Sequence, residues 1–131
     1  MTNNDNSFLM NTALWVTQAF LAAVFGYSGW MKSTRTAREL VVMGQTGVEH
    51  LPLPLIRFIG VSELIGVFCL LLPWYTQQMP ILTPLAALCL GLIMIPAGII
   101  HYRRNETKTV WLNVILFLLC GFVAYGRFVR L

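Results

Sequence analysis

The stretch RFIGVSELIGVFCLLLPW, residues 57–74, decides how this chain folds. It is apolar but for Arg57, Ser62 and Glu63, and it approaches the ~20 residues that a helix needs to cross ~30 Å of hydrocarbon. The run is continuous, without the apolar/polar alternation that marks barrel strands. In lipid the backbone has no water to bond, so a spanning segment of this kind must be a helix. Working outward, three further runs have the same character, giving predicted spans over residues 8–30, 53–74, 81–100 and 110–128. They fill most of the 131 residues and leave no room for a soluble domain. The expected fold is all-α: one domain over residues 1–131, a four-transmembrane-helix bundle.

Composition agrees. Hydrophobic residues make up 57% and charged residues 11% of the chain, against about 25% charged in a soluble domain, and the mean hydropathy is +0.71. The net charge of +4 comes from Lys and Arg beside the hydrophobic runs, with no long basic tract. That argues against nucleic acid and for topology signals and contacts with lipid headgroups. The opening residues MTNNDNSF carry Asp5 and no Lys or Arg, so the basic region of a cleaved signal peptide is missing and the first helix is expected to stay. Cys69, Cys89 and Cys120 fall in three different spans with no C-x-x-C, which fits packing roles.

With four spans, the termini and the loop 75–80 share one side, and the loops 31–52 and 101–109 share the other. The second side carries Lys32, Arg35, Arg38, Arg103, Arg104 and Lys108, the first Arg127 and Arg130. The positive-inside rule therefore puts both loops in the cytoplasm and both termini outside. In STRTARELVVMG, Ala37, Leu40, Val41 and Met43 share one side of a short helix and Arg35, Arg38 and Glu39 the other, with Gly44 as a stop. This predicts a short interfacial helix between the first two spans. Trp15, Trp30, Trp74 and Trp111, with Tyr75, Tyr102 and Tyr125, read as an aromatic belt. The small residues Ala19, Ala22, Ala23, Gly26 and Gly29 suit close helix approach, and Pro96 should bend the third span.

Glu63 is the anomaly. An acidic side chain at the centre of a spanning helix costs about 2.5–3.5 kcal/mol on insertion scales, so Glu63 wants a cation, a proton or water. Arg57 cannot serve within the helix, since six residues is about 9 Å of rise with the side chains well apart around the axis. Depth points instead to Gln18, at the level of Glu63, and to Lys32, Arg57 and His101 at the span ends above it, with Tyr27 a little deeper and Asn113 early in the fourth span. These residues, Glu63, Arg57, Lys32, His101, Gln18 and Tyr27, form the expected ligand-binding or functional polar cluster. Arg127, at the opposite face, is expected to anchor the end of the fourth span. His50, His101 and Glu63 lack ligand spacing, so no metal is expected. No nucleophile elbow, phosphate loop or carboxylate pair appears, and catalytic residues stay unassigned.

The ordered set FGYSGWMK, RFIGVSELIGVFCLLLP, LTPLAALCLGLIM, HYRR and AYGRF resembles the DoxX-like family of small four-helix bacterial membrane proteins. The match of Arg57, Gly60, Glu63 and Gly66 followed by Leu-Pro, with Lys32 closing the first span and His101 the third, carries most of the likeness. Pro96 in MIPAG departs from the family pattern. The resemblance implies a multi-pass protein of the bacterial cytoplasmic membrane and marks Lys32, Arg57, Glu63, His101 and Arg127 as characteristic positions. The family takes its name from a subunit of a thiosulfate:quinone oxidoreductase.

Three functional expectations follow. The first is an accessory protein, not an enzyme on its own, that binds a small lipophilic molecule, a quinone or lipid, in an intramembrane polar pocket. The second is a membrane subunit of a quinone-linked oxidoreductase, with a quinone as the one cofactor candidate. The third is a structural or assembly partner of other membrane proteins. Expected partners are membrane lipids, the lipophilic ligand, and a further copy of the chain or another membrane protein. A small proton-coupled exporter fits less well, because the first span offers Gln18 where such transporters place their glutamate.

Overall fold

The computed structural model describes residues 3–131 and, within them, contains helices and turns but no strand. Four helices are long and apolar enough to cross a membrane: α1 (Asn3–Thr34), α3 (Leu53–Thr76), α4 (Leu82–Arg103) and α5 (Thr107–Phe128). Between the first two lie the short α2 (Ala37–Val42) and a single 3-10 turn, Thr46–Val48. The spanning helices run up and down in a closed ring, α1 against α3, α3 against α4, α4 against α5 and α5 back against α1. The expected spans are therefore right in number and order, and each helix runs a few residues beyond its apolar run at one end or both. Pro73 and Pro96 lie inside continuous helices.

The outside of the bundle is as apolar as its inside. Phe8, Val16, Phe20, Phe58, Ile65, Phe68 and Leu118 are all exposed, an arrangement that would aggregate in water and belongs against lipid. The chain is a multi-pass membrane protein. Its interior is a layer of Leu21, Phe25, Leu70, Leu90, Met94, Leu116, Cys120 and Val123. A smaller cluster of Leu40, Val48 and Ile56, with Met31 beside it, seats α2 and the following loop on the end of α1 and the start of α3. Leu40 is fully buried while Val42 stays 81% exposed, so α2 packs through Leu40, with Ala37 and Val41 partly buried beside it, and turns Val42 outward. Thr36 caps it, its hydroxyl accepting the Glu39 N–H at 3.1 Å. Gly44, with φ of +98°, takes the left-handed turn that ends the segment.

The crossing of α1 and α3 places the polar site. A Cβ on Gly29 would lie 2.8 Å from the Gly60 carbonyl oxygen, and one on Gly60 would lie 2.8 Å from both Lys32 Cβ and Ser33 Oγ. Two glycines thus let the backbones touch. The consequence is that Lys32, three residues past Gly29, meets Glu63, three residues past Gly60.

Candidate functional site

Lys32 Nζ donates to Glu63 Oε1 at 2.8 Å. The Glu63 side chain is 0% exposed and that of Lys32 16%, so the pair hides its anionic end and presents its cationic end. The second carboxylate oxygen of Glu63, Oε2, is buried with no partner. Arg57 stands on the same side of the crossing but touches neither charge. Its Nη1 donates to the backbone carbonyls of Lys32, at 2.8 Å, and Arg35. It thereby closes the carbonyl end of α1, where a helix welcomes a cation, and fixes the turn that carries Lys32.

Beside Lys32 opens a cavity of about 350 Å³. Its walls come from α1 (Phe25, Ser28, Lys32), α4 (Met94, Ala97, His101) and α5 (Leu112, Asn113, Leu116), and its roof from Gln45, Gly47, Val48 and Leu51 in the connection after α2. Asn113 is 7% exposed and its Nδ2 is buried with no partner. No aspartate or glutamate lines the cavity among the described residues.

A polar latch holds the roof. The Thr46 hydroxyl donates to Glu106 Oε2, while Glu106 Oε1 faces His101 Nδ1 at 3.1 Å and accepts from Arg104 Nε at 3.0 Å. Arg104 Nη2 reaches on to Glu49 Oε2 at 2.6 Å. The Thr46 hydrogen bond, followed by that of His101, holds the Glu106 carboxyl below its ordinary range. Hydrogen bonding to Glu49 pushes Arg104 the other way, up. The roof is therefore tied to the α4–α5 turn by the Thr46–Glu106 hydrogen bond and the Glu49–Arg104 ion pair.

Of the residues expected at the site, Lys32, Glu63 and Arg57 gather at the α1–α3 crossing, and His101 shares the cavity wall with Lys32. Tyr27 is 54% exposed and outside the cavity. Gln18 does not bond Glu63 as depth alone suggested. Its Nε2 donates to the Leu70 carbonyl at 2.7 Å and its Oε1 accepts from Arg127 Nε at 2.6 Å. Arg127 is itself fully buried rather than an anchor at the membrane surface. It donates from Nη1 to Asn11 at 2.8 Å, and its guanidinium carbon lies 4.6 Å from the Trp74 ring and 5.2 Å from that of Trp15. Those two tryptophans, expected in the belt, stack on a cation instead; Trp30, Trp111, Tyr75, Tyr102 and Tyr125 are exposed as a belt requires. The reason is rotation about the helix axis, since sequence gives depth directly and facing only through neighbours.

The latch residues Thr46, Glu49 and Glu106 escaped sequence reasoning. The one signal was that Glu106 immediately precedes a helix and follows His101 across a tight turn. Among the described residues, no cluster of His, Cys, Asp or Glu could hold a metal ion. No curated protein and no solved structure matches the chain. The sequence model of the DoxX-like family matches residues 16–123, a stretch that takes in the α1–α3 crossing, the Lys32–Glu63 pair, the cavity walls and the latch, and the chain belongs to that family.

Proposed function

We propose that this protein binds a small lipophilic molecule, a quinone or a lipid-derived chain, in the cavity beside Lys32, and acts as an accessory protein of the bacterial cytoplasmic membrane rather than as an enzyme on its own. The observation that carries this reading is the cavity itself: about 350 Å³ inside a membrane bundle, mostly apolar, with Lys32, His101 and Asn113 on its wall. That size and mixture are those of small-molecule pockets, which are largely apolar with a few placed polar groups. The excess of Lys and Arg in the loops 31–52 and 101–109 supports a cytoplasmic position for the roofed end of the bundle.

The test is native mass spectrometry of protein released from mild detergent, wild type beside Glu63→Gln, with organic extracts analysed for quinones and lipids. Glu63 acts here through Lys32, which it holds against the wall. The expected result is a small molecule that travels with the wild type and is depleted in the variant. A folded wild type that carries nothing in either measurement would remove the reading and leave a structural or assembly role.

A further inference from the structure

We propose that the cavity selects a single-chain or single-ring amphiphile whose head is a hydrogen-bond-accepting oxygen, a carbonyl or carboxylate, seated at the Lys32 and His101 end. This rests on the cavity being a binding site and goes beyond it by naming the head chemistry, its position and what is refused.

Two side chains held by carboxylates border the cavity, and both are turned the same way. Lys32 lines the wall while its partner Glu63 is withdrawn behind it, fully buried. His101 lines the wall while its partner Glu106 sits in the turn beyond. Each carboxylate holds a nitrogen-bearing side chain in place without facing the cavity, so the interior meets an ammonium and an imidazole and no acid. The Lys32 ammonium has three N–H groups and gives one to Glu63, leaving two to offer. An acceptor oxygen would receive a charge-assisted hydrogen bond there. A cationic head would meet the Lys32 ammonium first, with its counter-charge Glu63 behind it and no carboxylate facing the cavity to receive the head.

The dimensions set the rest of the molecule. Lys32 and Phe25 on α1, and His101 and Met94 on α4, mark the two ends of the cavity, and seven residues of helix on each side is about 10 Å. Phe25, Met94 and Leu116 make the deep end apolar. A volume of about 350 Å³ suits one chain segment or ring better than a pair of acyl chains. Head at the roof and tail toward the bundle centre is the one orientation that satisfies both ends.

Four probes with ten-carbon chains test this: decanoate, 2-decanone, decylamine and decane. Each is offered at equal concentration to the purified protein in mild detergent, and the bound fraction is read by native mass spectrometry. Decanoate and decanone separate a charged from a neutral acceptor, and either one retained about tenfold over decylamine is the expected result. The comparison variant is the double substitution Lys32→Gln/Glu63→Gln, which removes the charge from the wall without leaving a lone buried carboxylate. It should hold decanoate and decylamine within about twofold of each other, its fold checked by circular dichroism. Decylamine held by the wild type as well as both decanoate and decanone, or an unchanged ratio in the folded variant, would overturn the inference while leaving a binding cavity. No probe retained at all would instead remove the reading of the cavity as a binding site, and this inference with it.

Discussion

Removing the Lys32 side chain is the sharpest perturbation the structure offers. At 2.8 Å and an effective dielectric of about 20, the attraction between Lys32 and Glu63 is about 6 kcal/mol, before the cost of dehydrating both groups is subtracted. That subtraction consumes most of it, so the pair's net worth is small. A single deletion is a different matter. Lys32→Met leaves Glu63 fully buried with neither oxygen bonded, and breaking a buried pair in this way costs about 3–5 kcal/mol. Glu63→Gln removes the buried charge and leaves Lys32 a weaker acceptor that no longer fixes it against the wall, and should lose only about 1 kcal/mol. The double variant Lys32→Met/Glu63→Gln removes the uncompensated charge and should recover more than half of the loss seen with Lys32→Met alone. Unfolding in mixed micelles with rising SDS, followed by circular dichroism, measures all four proteins. If Lys32→Met cost under about 1 kcal/mol, or if the two single changes simply added, Glu63 would not depend on Lys32 and the reading of the crossing would be wrong.

Three further outcomes are expected. Gly60→Ala puts a methyl 2.8 Å from Lys32 Cβ and Ser33 Oγ and 2.9 Å from the Gly29 carbonyl oxygen, so α1 and α3 must part, at about 1–3 kcal/mol in the same unfolding assay; a neutral effect would contradict the close crossing. Arg127→Leu orphans Gln18 Oε1 and Asn11 Oδ1 and should cost more than about 2 kcal/mol, with a red-shifted tryptophan emission as Trp15 and Trp74 lose their stacked cation. Arg127→Lys should fail to restore either, since an ammonium cannot stack flat or bond two partners in that plane, and full rescue by Lys would undercut the assigned geometry. The roof should be pH-sensitive. Because the Glu106 carboxyl sits below its ordinary value of 4.5 in the folded protein, its contribution is complete above that value and fades as pH falls through the lower folded one. The protection of the backbone N–H groups in residues 46–51, taken as the ratio of intrinsic to observed hydrogen-exchange rate at each pH, should fall only below about pH 4.5, and Glu106→Gln should remove that dependence; protection already falling near neutral pH would assign the latch to another group.

How much of this was readable beforehand follows from what a spanning helix demands. Length and unbroken apolarity are one-dimensional properties, so the four spans, their order and the short helix led by Leu40 were legible from residues alone. Depth is one-dimensional too, which is why Glu63, Lys32, Arg57 and His101 could be selected. Facing is not. Gln18 and Glu63 share a level, yet Gln18 turns toward Leu70 and Arg127, because in a helix apolar all round no stripe betrays which side is inside. Arg127 was misread for the same reason: near the end of a span, an arginine that reaches the surface and one that is fully buried look alike in sequence. The α1–α3 contact was half visible in Gly29 and Gly60, but their pairing needs both helices at once. The latch was least visible, since Thr46, Glu49 and Glu106 are ordinary loop residues until the roof folds down on the α4–α5 turn.

The two ends of the bundle bury charge by different means, and the difference bears on function. At the Arg127 end a guanidinium is enclosed completely, its Nε and Nη1 bonded by neutral Gln18 and Asn11, its Nη2 buried without a partner, and its plane covered by two indole rings. That is how this protein builds a clamp that only has to hold helices together. At the Lys32 end the charge is paired with a carboxylate behind the wall and then left facing about 350 Å³ of cavity. A clamp has no use for such a volume, which forfeits packing contacts on every wall. The same chain closes one polar centre and leaves the other open under a latched roof, and the proposed occupant would fill that opening. Substitutions at Arg127 should therefore change stability while leaving the ratio of bound decanoate to decylamine intact, and the neutral pair at positions 32 and 63 should change that ratio at nearly constant stability. Proteins that shifted both together would show that the two centres are one structural network and that the cavity has no separate role.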